Sequence, residues 1–355
     1  MPLFENKRII ITGGTGSLGK TIVHFVLGGN LGIPKKVIVF SRDEAKQHSM
    51  RMAYLHKLVA TDELIYRNFM NVLEFRIGDI RSYSDVCSVL RDADIVINAA
   101  ALKQVPTCEY FPLQALLTNC IGAANIVRAI EENRYPVETV VAVSTDKACK
   151  PVNVMGMTKS LQERIFIAAN LLNAHTHFVC VRYGNVLASR GSVIPLFHDQ
   201  IRNGGPVTVT VPEMTRFLLS LNQAVDTVMA ALRYAKNGET YVPNAPSATM
   251  MNLAKALIGD RQIEIKVTGI RPGEKMHEIM VSEEEANHCV RRGDYYAIRP
   301  MLPELRLAEE EEPNALKKEF SSADRVLDYA GTVELLKKHR LMAADIRQEN
   351  GELLR

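Results

Sequence analysis

Residues 12–19, Thr-Gly-Gly-Thr-Gly-Ser-Leu-Gly, stand between an apolar run and a helical segment, and no other stretch constrains the fold as much. Gly13 permits a tight turn, Gly16 lets the backbone approach a pyrophosphate, and Gly19 permits close helix packing. The helix behind the turn presents free N–H groups to an anion. Strand, turn and helix in that order predict a dinucleotide-binding Rossmann unit, with Thr15, Ser17 and Leu18 in the same phosphate-binding turn.

The first half of the chain continues in kind. Residues 7–12, 36–40, 73–77, 95–99, 139–144 and 177–182 read as buried strands, separated by helical segments. One of these, 113–132, places Leu116, Leu117, Ile121, Ala124 and Ile126 at helical spacing. The alternation predicts an α/β, doubly wound parallel sheet. After about Gly184 the pattern loosens, with turns at 204–206, 211–213 and 244–246. The expected organisation is a cofactor domain over 1–185, a smaller, mainly substrate-binding domain over 186–300 with segments returning to the first, and a C-terminal extension over 301–355. That extension carries an acidic run, Glu309 to Glu312, read as a solvated tail followed by packing helices.

With 355 residues, a net charge of +3 and no basic cluster, the chain gives no argument for nucleic acid or an anionic membrane. The N-terminal residues lack the regions of a signal peptide, and no apolar run reaches the roughly 18–20 residues that cross a bilayer, so the expectation is a cytoplasmic protein. Six cysteines without a paired spacing read as reduced thiols, and His175 and His177 lack partners at ligand spacing, so no metal is expected.

A site for NAD normally has an acidic residue at the end of the second strand. Here the strand ends Phe40-Ser41-Arg42, and a hydroxyl with a guanidinium suits a 2′-phosphate, which points to NADP. Asp43 and Glu44 follow at once and offer an alternative contact to a ribose hydroxyl, which would make the cofactor NAD. Asp79 is placed either to contact adenine or to cap the next helix. The strand ending at Ser144 opens on the carboxyl edge of the sheet, where doubly wound folds bind ligands, and Asp146 and Lys147 lie just beyond it.

Several blocks carry a resemblance. Gly13-x-x-Gly16-x-x-Gly19, Asn98-Ala99-Ala100-Ala101, Lys159 and Arg182-Tyr183-Gly184-Asn185 resemble the extended short-chain dehydrogenase/reductases. The runs 144–153 (Ser-Thr-Asp-Lys-Ala-x-x-Pro-x-Asn), 182–186 (Arg-Tyr-Gly-Asn-Val), 214–217 (Met-Thr-Arg-Phe) and 269–275 (Gly-Ile-Arg-Pro-Gly-Glu-Lys) look like the UDP-N-acetylglucosamine 4,6-dehydratases of bacterial surface-glycan and nonulosonic acid biosynthesis. The resemblance implies oxidation at C4 of the sugar, loss of water across C5 and C6, and hydride return to C6. It implies Lys147 as the C5 base, Asp146 as the acid, and Thr145 as a hydrogen-bond partner of sugar or cofactor. Ile80, Ala99, Ala100, Ala101, Lys103, Asn119 and Lys159 would join the cofactor site. Lys103, Asn185, Val193, Arg216, Arg271 and Glu274 would meet a nucleotide-diphosphate N-acetylhexosamine.

Lysine can act as that base only if its pKa falls toward 7 or 8, for which Lys159 offers a nearby charge. Related enzymes usually have Tyr-x-x-x-Lys, whereas this chain has Met155-Gly-Met-Thr-Lys159 on a helix expected to be capped by Asn153. A thioether accepts no proton, so Met155 would line the nicotinamide pocket, with Asp146, or alternatively Tyr183, taking the C4 hydroxyl proton. Three alternatives stand beside the UDP-sugar dehydratase: a GDP-N-acetylglucosamine dehydratase, a nucleotide-sugar 4-epimerase, and a non-catalytic NADP-binding module. Related enzymes associate through helices beside the active-site helix, so a homo-oligomer is expected.

Overall fold

A computed structural model describes residues 2–55, 63–187, 192–306, 312–342, 347–349 and 352–354. Six parallel strands form the body of one sheet: β1 (Arg8–Thr12), β2 (Lys36–Ser41), β3 (Leu73–Ile77), β4 (Ile95–Asn98), β5 (Thr139–Thr145) and β6 (His177–Tyr183). Three later strands extend it beyond β6, so that the nine run Cys289–Arg292, Tyr295–Ile298, Thr240–Pro243, β6, β5, β4, β1, β2, β3. The chain order reverses at β1, which has β4 on one side and β2 on the other, and a crevice opens there at the carboxyl ends.

Alternation along the strands supplies both faces. Ile9, Ile11, Val37 and Val39 pack with Ile22 and Val26 of helix α1 (Ser17–Leu27). Ile10, Ile38, Val96 and Val140 pack on the opposite face with Ile126 and Phe166. Each such side chain contributes about 1.5–3 kcal/mol on burial. The exception is β3, expected to be buried: it forms the sheet edge, with Arg76 and Ile77 exposed. Its Leu-Glu-Phe-Arg-Ile alternation fits a strand covered on one face only.

The segment 113–132 is helical but not regular. Helices Pro112–Leu116 and Gly122–Asn133 are joined by a π-helical turn, Leu117–Ile121. This turn shifts the buried stripe to Thr118, Asn119 and Cys120, and leaves Leu116 and Ile121 exposed, against the spacing read from sequence. By length and composition alone Pro112–Asn133 could cross a membrane, yet more than half of it is buried within the fold.

The smaller domain has a four-stranded sheet in the order Val326–Leu327, Ser247–Thr249, Thr215–Leu219, Asn185–Val186, packed against helices Val193–Arg202 and Met250–Ile258. Part of the C-terminal extension belongs here: Phe320–Ser321 pairs with Ile279–Val281, and helix Tyr329–Lys338 packs on Met250–Ile258. Of the acidic run, Glu309, Glu310 and Glu311 lie outside the described residues, while Glu312 pairs with Arg292 at 3.2 Å.

A buried guanidinium ties the two domains. Arg182 on β6 donates to both oxygens of Glu163 (3.1 and 2.6 Å) and of Glu285 (2.8 and 2.9 Å), and to the carbonyl of Met280 (2.7 Å). These charge-assisted bonds hold Glu285 down at about 2 despite burial that would raise it.

Candidate active site

A cavity of about 820 Å³ runs along the carboxyl edge of the sheet, from the glycine turn to the loop at Arg271. That is ample for a nucleotide-sized ligand. At one end is the turn after β1. Gly13 has φ +65°, and a Cβ there would lie 2.8 Å from the Ala100 backbone. A Cβ on Gly19 would lie 2.4 Å from Gly14 Cα, so the start of α1 can sit close under the turn only without side chains at both places. No side chain caps α1 at Gly16, which leaves its first N–H groups facing the cavity. Thr15, Gly16, Ser17, Leu18, Ile80, Ala99, Ala100, Ala101 and Lys103, the residues proposed from sequence for the cofactor, all line this cavity.

Ser41, Arg42 and Lys46 line the cavity beyond β2. Asp43 lines it as well, and its carboxylate accepts from Lys46 N at 2.9 Å and pairs with the Lys46 ammonium, which holds its pKa below the ordinary value. Asp79 lines the wall but does not cap the following helix, a task that falls to Ser82. Its carboxylate is bound by Arg81 at 2.6–2.8 Å, with Arg42 at 3.6 Å. Burial would raise Asp79, but these guanidinium contacts outweigh it and lower its pKa.

The centre lies where β5 ends. Asn153 caps helix Val154–Ala169 through the N–H of Gly156 at 2.8 Å, and its Nδ2 donates to the carbonyl of Gly273 at 2.8 Å. A Cβ on Gly156 would lie 2.2 Å from the carbonyl oxygen of Lys147, so glycine is what lets this helix press on the turn Asp146–Ala148. Met155 is buried on the cavity wall.

Lys147 reaches the same wall. Its Nζ lies 3.0 Å from Asp146 Oδ1, 3.2 Å from Asn185 Oδ1 and 3.3 Å from Glu278 Oε1. Burial and Arg216 would lower its pKa, but the two carboxylates prevail and raise it, opposite to the shift anticipated from sequence. Lys159 is not the charge that governs Lys147. It donates to the carbonyl of Val143 (2.6 Å) and to Gln162 (2.8 Å), and burial brings its own pKa down to about 8. Tyr183 lines the wall, but burial pushes its phenol up, away from service as a base.

Three expected contacts fall elsewhere. Asp146 lies behind the wall, fully buried, with Thr145 Oγ1 donating to it at 2.9 Å. Asn119 is spent on the fold, binding the Leu102 backbone (2.9 and 3.0 Å) and Thr158 Oγ1 (2.9 Å). Val193 turns into the small-domain core, and its neighbour Ser192 lines the cavity. Arg216, Asn185, Arg271 and Glu274 are on the wall. Arg216 is partly committed, donating to the carbonyls of Thr215 (2.8 Å) and Met276 (3.3 Å), whereas Arg271 is exposed at the mouth. Sequence reasoning missed Glu278, which is buried on the wall beside Lys147.

The residues present fit a dinucleotide. Besides the glycine cradle, the buried hydroxyls of Thr118, Ser144 and Ser192 line the cavity with no protein partner, as groups awaiting a polar ligand do. Among the described residues no cluster of His, Cys, Asp or Glu is arranged to hold a metal.

This fold and cavity define an enzyme of the nucleotide-sugar dehydratase and epimerase branch of the extended short-chain dehydrogenase/reductases. More narrowly, the chain belongs to the polysaccharide biosynthesis protein family, whose pattern matches residues 9–300. A protein of Rickettsia bellii (strain OSU 85-389) named UDP-glucose 4-epimerase is 42% identical over 301 residues, covering 83% of this chain and 84% of the relative. The X-ray structure of Pen from Bacillus thuringiensis superposes with a TM-score of 0.84 at 33% identity, covering 96% of this chain and 99% of that one. DesIV, a dTDP-glucose 4,6-dehydratase from Streptomyces venezuelae, shares the fold at 19% identity with a TM-score of 0.63, over 76% and 86% of the two chains.

Proposed function

We propose that this enzyme is an NADP-dependent 4,6-dehydratase acting on UDP-N-acetylglucosamine. The observation that carries the reading is Lys147 on the cavity wall, 3.0 Å from Asp146, beside Met155 in place of a phenol. The glycine turn and Arg42 would hold NADP, which would supply the hydride acceptor and donor that oxidation at C4 and reduction at C6 require. The Arg42 guanidinium beside Ser41 offers a 2′-phosphate a charge-assisted partner, with Lys46, paired to Asp43, close by, which supports NADP over NAD.

Lys147 then takes the C5 proton from the ketone, and the Thr145 hydroxyl on the wall relays the 4-hydroxyl proton to the buried Asp146 and from there back to the departing 6-hydroxyl. Thr145, bonded to Asp146, bridges it toward the cavity. Arg271 at the mouth, with Arg216 deeper in, holds the diphosphate end of the substrate, and Glu274, whose carboxylate accepts from the Arg271 N–H at 3.5 Å, completes that end of the site. The exposed apolar residues Leu113, Leu116 and Leu161 on helices beside the active-site turn, with Phe111 just before the first of them, support a homo-oligomer.

The names of the Rickettsia relatives favour a second reading, a 4-epimerase. Such a reaction returns hydride to C4 and has no use for an acid and base directed at C5 and C6, and Met155 cannot take the 4-hydroxyl proton. Incubation with UDP-N-acetylglucosamine followed by mass spectrometry separates the two. A dehydratase product is lighter by one water, whereas an isomeric product of unchanged mass would overturn the reading.

A further inference from the structure

Two carboxylates, not one, hold the Lys147 ammonium. Asp146 Oδ1 lies 3.0 Å and Glu278 Oε1 3.3 Å from Nζ, and each carboxylate leaves its second oxygen buried with no hydrogen-bond partner. A buried carboxylate oxygen without a donor is costly until it is protonated or a ligand donates to it. The pair differ in place: Asp146 lies behind the wall and Glu278 on it. The other groups facing Lys147 are Arg216, 3.8 Å from Glu278, Lys275, whose Nζ donates to the Cys149 carbonyl, and the neutral acceptor Asn185.

Removal of the C5 proton requires a neutral amine, and this setting makes Lys147 an ammonium. Asp146 cannot relieve it, because in the dehydratase reading, on which this inference rests, Asp146 already carries the 4-hydroxyl proton. We propose that Glu278 takes one proton from Lys147 before the C5 step and returns it at the end of the cycle. The balance closes. Lys147 ammonium and Glu278 carboxylate become amine and carboxylic acid; the amine gains the C5 proton as the C5–H bond breaks; Asp146 gives its proton to the leaving hydroxyl, which departs as water. Lys147 then gives a proton back to C5 as hydride reaches C6, and Glu278 reprotonates Lys147. Glu278 acts through Lys147 and is a positioning residue.

The test compares wild type, Glu278→Gln and Glu278→Asp. In the ligand-free proteins labelled with 13Cε-lysine, the Lys147 signal is identified by its loss in Lys147→Arg and titrated with pH. Removal of an opposite charge at this distance should lower the Lys147 pKa by about one unit or more in Glu278→Gln, with Glu278→Asp between the two. With UDP-N-acetylglucosamine, kcat for water loss should fall on the order of a hundredfold in Glu278→Gln while KM stays within about threefold, and Glu278→Asp should recover part of it. Should Glu278→Gln fail to fold, Glu278→Asp carries the comparison, because its shorter side chain withdraws the charge from Nζ. An unmoved Lys147 titration, or wild-type kcat in Glu278→Gln, overturns the inference and leaves the dehydratase reading intact. A wild-type enzyme that releases no water overturns both.

Discussion

Replacing Gly156 by alanine sets two effects of known size against each other. Alanine favours an exposed helix interior over glycine by about 1 kcal/mol. Here, however, the added methyl would lie 2.2 Å from the Lys147 carbonyl oxygen and 3.2 Å from Pro151 Cβ. A carbon and a carbonyl oxygen normally rest about 3.3 Å apart, so the turn bearing Asp146 and Lys147 must move by about 1 Å. Overpacking of that kind costs about 1–3 kcal/mol, which leaves a net loss of roughly 0–2 kcal/mol and lowers Tm by a few degrees at most. The rate suffers more, because a displacement of about 1 Å at reacting groups costs on the order of a hundredfold. Thermal melting and kcat on the nucleotide-sugar substrate, measured on the same preparation, read the two effects separately. A Gly156→Ala enzyme that melts higher than wild type and turns over at the same rate would refute the claim that this contact sets the position of the turn.

Arg42→Ala should weaken NADP binding about tenfold or more and leave NAD within about threefold, by calorimetric titration, because only the 2′-phosphate loses a charge-assisted partner; equal losses would rule out the assignment. Breaking the buried Arg182 cluster by Glu285→Gln should cost about 3–5 kcal/mol in denaturant unfolding. Glu285 titrates at about 2 when folded and at 4.5 by its ordinary value. Between those values the unfolded chain binds more protons, so stability present above pH 4.5 should be lost as pH falls toward 2, with a shallower loss in Glu285→Gln. Leu161→Asp, at an exposed helical site, should dissociate an oligomer in light scattering without lowering Tm of the subunit; an unchanged mass would place the interface elsewhere.

Local patterns were legible and distant encounters were not. The glycine turn and the Asn153 cap are written within a few consecutive residues, and the structure places both as read. Asn119 was misread because a buried amide beside a cleft looks like a ligand contact until its bonds to Leu102 and Thr158 are known. Val193 missed the wall by one position, since the entry angle of its helix decides which neighbour faces the cavity. The Lys147 shift was anticipated in the wrong direction for a related reason. Its sign depends on Glu278, which lies just past the 269–275 block but more than a hundred residues from Lys147 in the chain, so that nothing around either residue announces their meeting. The edge position of β3 likewise depends on which strands find which neighbours, although its alternating residues did hint at a single covered face.

The return of the chain to its first sheet has a consequence for how the molecule is inherited. Thr240–Pro243 zips along β6, and Glu285 supplies one of the two counter-ions that Arg182 needs. A polypeptide severed after residue 185 would present a bare hydrogen-bonding edge and an under-neutralised guanidinium in its interior. Folding therefore treats the chain on both sides of residue 185 as one piece, and recombination that swaps the later part must bring the Arg182 partner Glu285 with it.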